Sequence, residues 1–315
     1  MMNNGYTTQQ LPQWGLLKIR DALAHRADRH GQHHSARLSV PPPLLLICSM
    51  LSVQLGAALA TGLFATIGSN GTVFLRLGFA ALILLLAWRP RLRAYRRADY
   101  LLVGLFGLTI AAMNASFYAA IARIPLGIAT TLEFVGPLGV AIAASRRRRD
   151  LLWVGFAAAG VALFAPIGKT ALDPLGIMFA LLAGAGWAAY ILFNVRIGRA
   201  FSNGDGLALS MGVAALAFSP FGLLSGGAQL AEPRMLLIGA SVAVLSTVIP
   251  FSLELEALRR LPARVFGVLM SLEPAIAALI GFVVLHETIG LRGLIALTLI
   301  MVASAGVSFF QDSPA

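Results

Sequence analysis

The chain has 315 residues, of which 58% are hydrophobic and only 12% charged, with a mean hydropathy of +0.82. A soluble domain carries roughly a quarter charged residues, so this composition leaves too little polar surface for a water-soluble globule. The single Cys48 excludes a disulfide framework and a thiolate metal site, and the net charge of +11 takes its meaning from where the 24 Lys and Arg lie.

Residues 1–42 read as a basic cytoplasmic tail with Lys18, Arg20, Arg26, Arg29, Arg37 and four histidines, His25, His30, His33 and His34. No secretory signal is expected, because the apolar stretch after Pro41-Pro42-Pro43 is too long for an h-region. A spanning helix takes about 20 apolar residues at ~1.5 Å rise. The pattern therefore predicts helices over 44–66, 71–88, 100–122, 126–144 and 151–167, then 174–195, 206–225, 235–257, 263–284 and 291–310. Continuous apolar runs favour helices over barrel strands, which alternate over about ten residues. The expected fold is an all-α membrane protein with ten transmembrane helices.

With the N-terminus inside, nineteen of the 24 basic residues fall on the cytoplasmic side. They are the tail, Arg89, Arg91, Arg93, Arg96 and Arg97, then Arg146 to Arg149, Arg196, Arg199, Arg259, Arg260 and Arg264. Only Arg123, Lys169, Arg234 and Arg292 face the other side, an asymmetry that predicts both termini in the cytoplasm. Such an excess is the footprint of insertion and of anionic lipid headgroups, so the expected partner is membrane lipid and no nucleic acid.

Pro125 and Pro137 are twelve residues apart, as are Pro262 and Pro274, and an offset of 137 carries the first pair onto the second. At that offset Thr109–Pro137 lies over Ser246–Pro274 without a gap. Five helices separate the copies, so the expectation is two inverted five-helix repeats, 43–168 and 171–311, with a site near the midplane between them.

A charge at the centre of a membrane helix costs roughly 2.5–3.5 kcal/mol on insertion scales and marks function by default. Glu133, Glu273 and Arg76 meet that description, the two acids lying roughly 10 and 15 Å deep at helical rise. A proline removes the N–H that would bond the carbonyl four residues earlier. Pro137 thus frees the carbonyl of Glu133 and Pro274 that of Met270, giving helix breaks for gating. At Glu133 the carboxylate and the freed carbonyl make a cluster of acceptors suited to an ammonium group or a proton. The structural alternative is a buried strut between Glu133 and Arg76. Arg76 is also near enough to the boundary to snorkel.

Asn114 and Tyr118 share a helix face and could orient a zwitterion or bond across helices. Trp187 and Tyr190 lie deep enough to line a cavity or simply to pack. Glu254 and Glu256 read as interfacial charges, with Arg259 and Arg260 at helical spacing. Gly184-Ala185-Gly186 imitates a dinucleotide fingerprint but has no preceding strand, so it reads as close helix packing. His286-Glu287 lacks a second histidine at metalloprotease spacing, and no Walker sequence or nucleophile elbow occurs. No metal, no cofactor and no enzymatic chemistry are expected.

The stretches 113–147 and 246–287, with GAGWAAYIL at 184–192 and the Arg76-Leu77 pair, resemble the drug/metabolite transporter superfamily. Within it they are most similar to the EamA-type branch and its bacterial inner-membrane threonine/homoserine exporters. His286 departs from the glycine that usually precedes the glutamate there. The resemblance implies a central cavity and export of a small amino-acid substrate in exchange for protons. Oligomeric state is left open, as are importers, transporters of other metabolites or drugs, and a channel or membrane enzyme.

Overall fold

The computed structural model describes residues 41–90, 95–144, 150–163, 172–201, 204–261 and 263–310. Most of the basic tail, Arg91, Arg93, Arg146 to Arg149, Lys169 and Pro262 lie outside the described residues. Among the described residues every regular element is helical.

The first helix, α1 (Pro42–Thr61), opens on prolines whose missing N–H groups cost nothing in a first turn. It ends four to five residues earlier than hydropathy predicts, and α2 (Phe64–Trp88) follows almost at once. The expected loop near Ser69 is instead a kink inside α2, where Gly68 has φ 68° and ψ 171°. A side chain there would be strained, which is why glycine serves.

Four helices continue the first half: α3 (Arg97–Ile121), the pair α4 (Leu126–Glu133) and α5 (Val135–Ala144), and α6 (Asp150–Leu163). The second half holds α7 (Pro174–Ala200), α8 (Asp205–Gly226), α9 (Pro233–Ala243), α10 (Ile249–Arg260), α11 (Ala263–Met270), α12 (Glu273–Leu285) and α13 (Leu291–Phe310).

Between α9 and α10 the chain widens into a π turn, Val244–Val248, in which Ile249 N–H bonds the Val244 carbonyl. Pro250 explains it: without an N–H it cannot hold the Ser246 carbonyl. The segments predicted over 126–144 and 263–284 are each divided, and the breaks fall at residues 134 and 271–272. Both halves of the reason are the prolines at 137 and 274.

Among the described residues six helices are long and apolar enough to cross a membrane, and four shorter apolar helices accompany them. Their outward faces are apolar too, with Leu224 86% and Leu216 75% exposed. Apolar surface on that scale belongs against lipid, and the chain is a multi-pass membrane protein. Inside, α2 packs on α8, α3 on α7 and α8, α1 on α10 and α12, α4 on α7 and α12, and α6 on α13. The core gathers Leu77, Phe106, Ile110, Tyr118, Leu126, Leu132, Ala183 and Ala277.

Candidate functional site

The break between α4 and α5 is seated on glycine. A Cβ on Gly184 would come within 2.7 Å of the Glu133 carbonyl oxygen, and one on Gly136 would overlap the Gly184 carbonyl. The carbonyl that Pro137 releases therefore meets a Cα–H of α7, a weak hydrogen bond that only a bare glycine permits. The expected close-packing role of Gly184 and Gly186 is what this geometry displays, Gly186 lying equally tightly on Met113.

Around this junction the polar groups of six helices converge. Glu133, last residue of α4, is partly exposed and lies within electrostatic reach of Glu273 and Arg76. Glu273, first residue of α12, is 6% exposed and accepts a 3.2 Å hydrogen bond from Gln54 Nε2 of α1. It also feels Glu254 of α10, whose Oε1 accepts from the Ser49 hydroxyl at 2.7 Å. Arg76 does not pair directly with Glu133 among the described residues. Its Nη1 donates to the Tyr118 hydroxyl oxygen at 3.3 Å and its guanidinium sits 5.4 Å from the Tyr118 ring centroid. The strut foreseen between Arg76 and Glu133 is thus replaced by a cation held on an aromatic ring.

Asn114 shares the face of Tyr118, but its amide nitrogen is committed to the Ile110 carbonyl of its own helix at 2.8 Å. Trp187 stands edge-on to Phe134 at 5.6 Å, directly beyond Glu133. Tyr190 packs on Phe106 at 5.1 Å and lies near Glu254. Both aromatics wall the junction through ring contacts. A cleft of about 380 Å³ runs beside it, between α5 and α7, lined by Val135, Gly139, Val140, Leu181 and Ala188 and almost wholly apolar.

Two groups depart from the sequence reading. Glu256 does pair with Arg260 one turn on, but Glu254, two residues away and so on the opposite helix face, points inward to Ser49. Gln54 and Ser49 were not singled out at all. The signal for Gln54 was present as a lone amide in the middle of an apolar helix, and a summed hydropathy conceals it.

At the far end of α12, Glu287 is a further unforeseen contact. Its Oε2 accepts from the Leu126 N–H at 2.8 Å, a carboxylate at the start of α4 where the helix dipole favours it. Burial pushes the Glu287 carboxyl above its ordinary range, and the Leu126 hydrogen bond partly opposes this. Among the described residues no group of three or more His, Cys, Asp or Glu is placed to hold a metal ion.

Known proteins resemble this chain in sequence and in fold. The EamA-like transporter family matches residues 174–309. The threonine/homoserine exporter RhtA of Escherichia coli (strain K12) is 42% identical over 267 residues, 84% of this chain and 90% of its own. RhtA of Salmonella typhimurium (strain LT2) matches to the same extent. A solved crystal structure of a protein only 18% identical superposes with a TM-score of 0.57 over 87% of this chain and 99% of that one, a likeness of fold.

Proposed function

The chain belongs to the EamA-like transporter family, whose members are transporters and not enzymes, and from that premise we propose that it exports small neutral amino acids of the threonine and homoserine kind in exchange for protons. The setting is a bacterial inner membrane, with both termini and the 1–42 tail in the cytoplasm. The basic loops that charge asymmetry assigns to one side support this orientation.

We read the ten apolar segments as ten spans in two inverted repeats, 43–168 and 171–311. Three observations support it. The family match begins at Pro174, where α7 begins, and ends within α13. The eight-residue helices α4 and α11 coincide under the 137-residue offset, since 126 and 133 become 263 and 270. The packing partners survive exchange of the halves: α3 on α7 answers α10 on α1, and α5 on α7 answers α12 on α1. Alternating access then rocks one repeat against the other around the broken helices, with Pro137 and Pro274 as the gating breaks.

The observation that carries the mechanism is that Glu133 at the junction lies within electrostatic reach of both an acid, Glu273, and a cation, Arg76. Opposite charges in one site suit the two ends of a zwitterion. Arg76, set by Tyr118, receives the carboxylate, with Asn114 on the same face. Glu133 is the candidate for the proton or ammonium. Trp187 and Tyr190 close the sides.

The test is flux of L-threonine and L-homoserine in proteoliposomes with and without an imposed pH gradient. The wild type moves them faster down the counter-gradient of protons, and Glu133→Gln loses that gradient dependence. Gradient-independent flux in the wild type, or none, overturns the reading.

A further inference from the structure

Gln54 is 1% exposed, midway along α1, and its Nε2 is spent on Glu273 Oε1. Its own Oε1 and the second carboxylate oxygen, Glu273 Oε2, are both buried and have no hydrogen-bond partner among the described residues. Native interiors rarely leave such groups unmet, and an exception asks for an explanation. Here two open acceptors, one amide and one carboxylate, come from two different helices whose side chains are joined by a hydrogen bond.

With Glu273 ionised, a partner that meets both oxygens donates at least two hydrogens and suits the carboxylate best when it carries positive charge. A primary ammonium does both, with three N–H donors. A hard metal ion is a poor match, since it takes six or more oxygens and the described residues here offer no such set. A proton on Glu273 Oε2 can bridge to Gln54 Oε1 and meet both oxygens, but only in the neutral acid; the ionised acid leaves both open.

The neighbours fit the same ligand. Glu133 lies on α4, which packs on α12, Glu254 is already held by Ser49, and Arg76 is a cation within electrostatic reach of Glu133. A zwitterion with its amine at Gln54 and Glu273 then has Arg76 available as the counter-charge for its carboxylate. We propose that Gln54 and Glu273 form the subsite for the substrate's ammonium group, Gln54 Oε1 and Glu273 Oε2 accepting from it, which leaves Glu133 to carry the proton. This assignment rests on the transport reading above and divides the roles of its two acids.

The experiment is L-threonine counterflow in proteoliposomes of the full chain, in competition with unlabelled L-threonine and with 2,3-dihydroxybutyrate, which has a hydroxyl in place of the amine. A charge-assisted hydrogen bond lost from a buried site corresponds to on the order of a ten- to hundredfold change in affinity. The wild type is expected to prefer threonine by that factor. Gln54→Leu is expected to raise the threonine KM about tenfold with little change in maximal rate, and to narrow the preference over the hydroxy analogue. Glu273→Gln should narrow it further.

A wild type that takes the analogue as well as threonine overturns the subsite, and this measurement needs no variant to fold. So does an unchanged KM and preference in both variants. A purely structural role for the Gln54 hydrogen bond would lower the rate without altering the preference, and that outcome also overturns it. A wild type that moves no amino acid sinks the transport reading itself, a result distinct from these.

Discussion

Gly184→Ala probes the seat of the α4 break. The added Cβ would lie 2.7 Å from the Glu133 carbonyl oxygen and 3.3 Å from its carbonyl carbon and Cα. All three are backbone atoms, so no side chain can swing away, and the oxygen must retreat by roughly 0.7 Å to reach ordinary contact. Overpacking of this kind costs about 1–3 kcal/mol. Against it stands the helix propensity of alanine over glycine, about 1 kcal/mol in favour of the variant. Gly198, in the same helix, has nothing within 4 Å of the equivalent position, so Gly198→Ala gains the propensity without the collision. The difference between the two variants cancels propensity and isolates the contact: Gly184→Ala should be less stable than Gly198→Ala by about 1–3 kcal/mol. The measurement is the thermal or denaturant midpoint of each purified variant in detergent, with threonine flux alongside. Gly198→Ala should unfold at or above the wild-type midpoint. Equal midpoints for the two, with wild-type flux in Gly184→Ala, would refute the claim that a glycine backbone contact holds the break in place.

Two further predictions concern the turn after α12. His286 adopts φ 56°, where a side chain costs about 1–2 kcal/mol relative to glycine; the freedom that glycine adds to the unfolded chain returns up to about 1 of it. His286→Gly should therefore raise the unfolding midpoint slightly, and a clear loss of stability would show that the imidazole makes a contact worth more than the strain. Glu287 has a carboxyl raised above its ordinary range by burial. A carboxyl raised in the folded state binds its proton more tightly there than when unfolded, so stability falls as pH rises from the ordinary carboxylate range through the folded-state value. Glu287→Gln keeps an acceptor for the Leu126 N–H while removing the titration, so its midpoint should vary less with pH over that window; an unchanged pH slope would locate the effect elsewhere.

Much of the architecture was legible because lipid imposes a length on every span. The segment 291–310 is helical over the predicted range, and α7 starts at the predicted Pro174. The breaks at 134 and 271–272 follow from Pro137 and Pro274. Yet proline alone is an ambiguous sign. Pro220 sits inside α8 without dividing it, and the difference lies in what the orphaned carbonyl meets. Pro220 frees Leu216, whose oxygen is taken by the Ser219 hydroxyl at 2.8 Å, so the helix continues. Pro137 frees Glu133, whose oxygen meets only the bare backbone of Gly184. That distinction depends on another helix, and one-dimensional pattern cannot supply it. The same limit hid Gln54 and misplaced Glu254. Each acquires its role from a partner some two hundred residues away, 219 for Gln54 with Glu273 and 205 for Ser49 with Glu254.

The junction is also less symmetric than the scaffold around it, and this bears on how two acids can do different work. The offset that lays α4 on α11 carries Glu133 onto Met270, while Glu273 answers to Gly136. One half thus places its carboxylate as the last residue before the break, and the other as the first residue after it. A strictly repeated acid would have found the same surroundings in both halves. Instead Glu133 faces Arg76 and remains partly exposed, while Glu273 is buried against an amide that cannot neutralise it. Carboxylates in unlike settings are how one site runs two proton chemistries. A buried ionised acid beside an amide that cannot neutralise it suits a cationic ligand, whereas a partly exposed acid within reach of a cation can exchange a proton without unbalancing the site. On the proposed exchange reading, coupling between substrate and proton needs no third group: the two acids are within electrostatic reach, so the charge state of either would bias the occupancy of the other.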